Sequence, residues 1–173
     1  MQYTIDGASV LKSPRLRLAL FSSVWFGGFV FGALIFRSAQ SAFVSGMFGA
    51  LSCAVSIVGL LLVIILPFLI TALAVYESKP VALYLLCFFK AVLYSVNVLA
   101  IFGAYGTAGW LVQILLMFTE NCTMAMLWFL WLCVILNKPK IFQRAFLWCF
   151  GISVLAGVLD LFIISPFAVS IIM

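Results

Sequence analysis

The chain is predicted to be an all-α membrane bundle, five transmembrane helices and one short re-entrant or interfacial helix. Three observations predict it. Of its 173 residues, 68% are hydrophobic and only 8% charged, whereas a soluble domain carries about a quarter charged residues. The mean hydropathy of +1.37 describes more apolar surface than a core of this size can hide from water. The apolar runs are also continuous rather than alternating with period two, which argues against a closed barrel and for helices that satisfy their own backbone.

The whole chain, 1–173, reads as one integral membrane domain with no soluble module. Residues 1–17 form a short polar arm with Lys12, Arg15 and Arg17 around Pro14. This is a juxtamembrane basic cluster that topology explains, with anionic-lipid attraction a minor addition. A cleaved signal peptide is not expected, because the first apolar run begins only near Leu16 and continues to Phe36.

The first span covers 18–36. Gly28 and Gly32 lie four apart in it, a spacing that lets another helix approach closely. A packing face within the bundle is the favoured reading over a homodimer face. Residues 41–52 are apolar but too short to span, and are expected to re-enter the membrane, lie at its interface, or begin a long second helix. The second span covers 54–76 and is expected to kink at Pro67, which lacks an N–H and crowds the preceding turn.

The third span covers 81–104, with Lys90 inside it and Asn97 two turns later. A short Gly-bearing link, 105–109, makes the third and fourth spans antiparallel neighbours. The fourth span, 109–136, holds a polar knot, Thr119-Glu120-Asn121, at its middle. A helix rising about 1.5 Å per residue needs roughly 20 residues to cross a bilayer, so Glu120 falls near the midplane. A carboxylate there must be protonated, paired or wet. Residues 137–144 are expected to form a basic loop, with Lys138, Lys140 and Arg144. The fifth span covers 145–166 and carries Asp160.

Lys and Arg accumulate on the cytoplasmic side of membrane proteins. Five spans with the N-terminus inside and the C-terminus outside put Lys12, Arg15, Arg17, Lys79, Lys138, Lys140 and Arg144 in the cytoplasm, and only Arg37 outside. The net charge of +5 is accounted for in this way and is not read as nucleic-acid affinity.

No catalytic, cofactor-binding or metal-binding constellation emerges. Histidine is absent, which excludes histidine-ligated metal and histidine proton relays. The five cysteines all lie in apolar runs without CxxC spacing and read as small buried hydrophobes. No protease signature is present. The candidate functional residues are the intramembrane polar set Lys90, Asn97, Glu120, Asn121, Asp160 and Arg37. Depth along the membrane normal pairs Lys90 with Glu120, hydrogen-bonded by Asn97 and Asn121, and Arg37 with Asp160, while Gln113 adds interhelical glue. The same groups support a second reading, in which Glu120 and Asp160 line a proton or ion pathway.

Four short motifs in order carry a resemblance. They are Val30 to Leu34 (VFGAL) in the first span, Phe89-Lys90 in the third, Glu120-Asn121 in the fourth, and Asp160 ahead of Ile164-Ser165-Pro166 in the fifth. Together they resemble the stage II sporulation protein M family over most of the chain from about residue 20. Ala91 stands where family members often have Gly, Thr119-Glu120 where they often have Pro then His or Gln, and the segment between the first two spans is shorter. The resemblance implies a non-enzymatic membrane scaffold. It would anchor extracytoplasmic peptidoglycan-degrading partners at the septal or engulfing membrane of an endospore-forming bacterium. The alternative from the residues themselves is a small transporter or transporter subunit using Glu120 and Lys90.

Overall fold

The computed structural model describes residues 13–38, 61–77, 80–164 and 166–167. Helix α1 is Pro14–Ser38, α2 is Leu66–Tyr76, α3 is Pro80–Tyr105, α4 is Gly109–Leu116, α5 is Phe118–Ile135 and α6 is Pro139–Leu159. Two π-helical turns, Leu61–Ile65 and Asp160–Ile164, and one 3-10 turn, Gly106–Ala108, complete the described residues, which include no strand. Among the described residues, four helical segments are long and apolar enough to cross a bilayer: Pro14–Ser38, Val81–Tyr105, Phe118–Ile135 and Pro139–Ile164. The expected short helix at 41–52 and the start of the second span lie outside the described residues.

α1 begins where Pro14 supplies a preset φ and the carbonyl of Ser13 accepts the first backbone bond from Arg17, 3.2 Å away. It then lies along α3, and the two run parallel. Gly28 faces Phe88 and Ala91, and one turn later Gly32 faces Val92 and Ser95. A Cβ at Gly28 would come within 2.6 Å of the Phe88 carbonyl oxygen, and one at Gly32 within 2.6 Å of that of Val92. Backbones this close leave room only for glycine, and they let Ser95 donate its hydroxyl to the Phe29 carbonyl at 2.8 Å.

α5 and α6 form the second pair, antiparallel and joined through residues 136–138. Asn137, at φ 56°, closes the end of α5. The Lys138 amide donates to the Cys133 carbonyl at 2.8 Å and the Asn137 amide to that of Val134 at 3.0 Å. This is a Schellman closure with Asn in the left-handed position. Pro139 then starts α6 at once. The basic segment expected as a loop over 137–144 is therefore mostly the first turns of a helix.

α2 seals the two pairs together. Its Phe68 packs edge-on against Phe146 and Phe150 of α6, with ring centroids 5.7 and 5.4 Å apart. Thr71 accepts a hydrogen bond from the Trp131 indole of α5 at 3.0 Å, both side chains fully buried. Phe21 of α1 meets Trp128 and Trp131 edge-on at 4.8 and 5.9 Å. Pro67 is buried at the start of α2, and the π-helical turn directly before it widens the backbone ahead of its ring. A π-helical turn, Leu61–Ile65, thus stands where the kink is expected.

The bundle is apolar outside as well as inside, with Phe26, Leu147 and Trp148 all largely exposed. That surface fits lipid. The helix directions gather Arg15, Arg17, Lys138, Lys140 and Arg144 at one end, and leave Arg37 in the last turn of α1 at the other.

Candidate functional site: the intramembrane polar cluster

The fourth span is broken at its centre. α4 ends at Leu116, Met117 leaves helical geometry (φ −107°, ψ 24°), and α5 starts at Phe118. The sequence predicts one continuous helix here. The reason for the break lies on another helix. The Thr119 amide turns to the Asp160 carboxylate at 3.4 Å, and the Thr119 hydroxyl donates to the same oxygen, Oδ2, at 2.6 Å. Backbone bonds resume on both sides, from Met117 to Gln113 (3.0 Å) and from Asn121 to Met117 (2.8 Å). The polar knot therefore occupies the first turn of a half-helix.

Across from it, α3 presents Lys90, Tyr94 and Asn97, spaced i, i+4 and i+7 on one face. Lys90 is buried at 8% exposure, and its Nζ lies 4.0 Å from Glu120 Oε1. Asn97, exposed at the edge of the cluster, donates to Glu120 Oε2 at 3.4 Å. Beside this pair a closed triangle forms. Tyr94 donates its hydroxyl to Asn121 Oδ1 at 3.0 Å, while Gln113 donates to Asn121 Oδ1 and to the Tyr94 hydroxyl oxygen, both at 3.1 Å.

The structure thus brings Lys90, Asn97, Glu120 and Asn121 together and divides their work. Asn121 does not serve the Lys90–Glu120 pair, as sequence reasoning expects, but Tyr94 and Gln113. Arg37 and Asp160 are not joined. Arg37 is exposed at the end of α1, with no ion pair to Asp160 among the described residues, because α1 follows α3 while Asp160 faces α5. Sequence reasoning does not single out Tyr94, although its position between Lys90 and Asn97 on one helical face signals it. It gives Thr119 no partner, because that partner is 41 residues away and reaches it only through the α5–α6 packing. Cys87, Cys133 and Cys149 are buried free thiols, and Cys122 is a half-buried one.

Chemically, the cluster neutralises one cation against one carboxylate and pins a second carboxylate to a hydroxyl and an amide. It ties α3, α4, α5 and the end of α6 at one level. No protein-family model, curated protein or solved structure matches the chain.

Proposed function

We propose that this chain is a non-enzymatic membrane scaffold of the stage II sporulation protein M type, a five-span protein of a bacterial cytoplasmic membrane. Besides the four long apolar segments, the remaining span would be the second, 54–76, which ends in α2. Its basic end, with the N-terminus, would face the cytoplasm, and the C-terminus the outside. It would hold extracytoplasmic cell-wall hydrolases through its outer end, as a single copy or a homo-oligomer. One observation carries this reading: Lys90, Glu120 and Asp160 each engage a polar group on another helix. Groups used in this way fasten the bundle, and function then falls to what its ends present. The outer end offers the turn Gly106–Ala108 and the half-exposed Trp110 beside it.

The test is affinity capture from gently solubilised membranes of the native host, with mass spectrometry of the co-purifying proteins. Recovery of peptidoglycan hydrolases, lost on substitution in residues 37–45, 105–109 or after 166, is the expected outcome. Capture that survives every such substitution counts against the scaffold.

A second reading is favoured by the break at Met117. Discontinuous membrane helices place polar and charged groups at transporter coupling sites, and π turns recur at functional sites. Glu120 lies in the first turn after the break, and a π-helical turn starts at Asp160. For a transporter, Glu120→Gln yields a folded protein without solute flux in proteoliposomes. For a scaffold, it lowers the folded yield instead.

A further inference from the structure

The surface of α6 carries a line of side chains that the polar cluster does not use. Lys140, Arg144, Trp148, Gly151 and Leu155 are all exposed. Their spacing of four, four, three and four residues keeps them on one helical stripe. With a rise of about 1.5 Å per residue, Arg144 lies about 6 Å beyond Lys140, and Gly151 about 10 Å beyond Arg144. The stripe passes from two cations at the basic end of the bundle, through an indole, to a glycine and then a leucine. A Cβ at Gly151 would meet nothing within 4 Å, so that position is open space without a side chain. Lys140 and Arg144 have no ion pair among the described residues.

We propose that this stripe is a binding site for one anionic phospholipid. Lys140 and Arg144 hold the phosphate and headgroup. Trp148 packs against the glycerol and upper acyl region, where indoles are favoured in bilayers. One acyl chain runs down over Gly151 towards Leu155. The occupant follows from charge complementarity in sequence along the membrane normal: cations at headgroup level, an amphipathic ring below them, and an open apolar surface below that. A zwitterionic lipid meets the same apolar half but brings no net negative charge to the cations.

The experiment uses the full chain reconstituted in phosphatidylcholine, with brominated phosphatidylglycerol or brominated phosphatidylcholine as quencher of tryptophan emission. Subtracting the signal of Trp148→Phe isolates Trp148 from the other tryptophans. Brominated phosphatidylglycerol should bind beside Trp148 more tightly than brominated phosphatidylcholine, by about fivefold for each cation engaged. K140Q and R144Q should each lower that preference, and together bring it close to unity. K140R with R144K should retain it, and R15Q, at the same end on another helix, should leave it intact. Thermal melting of each variant confirms that the fold is kept. Equal quenching by the two lipids in the unsubstituted chain would overturn the site. So would a preference that survives K140Q with R144Q, or one that R15Q removes.

Discussion

Lys90 of α3 and Glu120 of α5 face each other with Nζ and Oε1 4.0 Å apart, their side chains only 10% and 15% exposed. The pair sits where the fourth span is broken, and Asn97 holds the second carboxylate oxygen. Removing one member leaves the other charge buried without compensation, at a cost of about 3–5 kcal/mol. Glu120→Gln or Lys90→Met should therefore lower the thermal midpoint sharply in detergent. Exchanging the two residues should recover part of the loss. Replacing both by Met should recover more, since the desolvation of both charges is then avoided. Unchanged melting in both single variants would show that the pair does not lock the bundle.

The α1–α3 contact should be intolerant of side chains at two glycines and indifferent at a third. Gly28→Leu and Gly32→Leu push side chains into backbone carbonyls of α3, and overpacking of this kind costs about 1–3 kcal/mol or more. A Cβ at Gly27 would meet nothing within 4 Å, so Gly27→Leu should melt like the parent. Thermal melting of the three variants side by side checks this. Equal damage from all three would point to a general effect of leucine in α1 rather than close backbone approach.

Thr119 should matter through its hydroxyl. Its 2.6 Å bond to Asp160 is made to a carboxylate, and bonds to charged groups contribute about 1.5–3 kcal/mol. Thr119→Val should lose that amount, while Thr119→Ser should stay near the parent. Chemical unfolding in mixed micelles measures both, and a Val variant as stable as the Ser variant would contradict the assignment.

The Trp131–Thr71 bond ties α5 to α2 in the fully buried core. Interhelical bonds in membrane proteins contribute about 0.5–2 kcal/mol. Thr71→Val, which keeps the shape and removes the acceptor, should cost that much. In a double-mutant cycle with Trp131→Phe, the two losses should be less than additive. Strict additivity would mean that the bond contributes nothing.

Much of this fold is legible in the linear chain. The third helix, Pro80–Tyr105, matches the apolar run 81–104 nearly residue for residue, and the Gly28–Gly32 spacing marks the α1 contact face. The features that escape the linear reading depend on distant partners. The break at Met117 follows a bond from Thr119 to Asp160, and Asn121 is taken by Tyr94 and Gln113 instead of by Lys90. The early start of α6 escapes a reading that equates charge with loop, although Pro139 soon after Asn137 already spells a turn and a helix start.

Composition and run length by themselves determined that the chain is helical and apolar on its outside, since a backbone in hydrocarbon must satisfy its own hydrogen bonds. They also placed Lys90 and Glu120 at levels where each required a partner. Only the tertiary structure decided which partner each polar group received. Depth along the membrane normal is a matter of counting residues, but the direction a side chain faces depends on how each helix is rotated and broken. Those rotations are set by glycine contacts, buried aromatics and a π turn acting together, and no single stretch of sequence contains them.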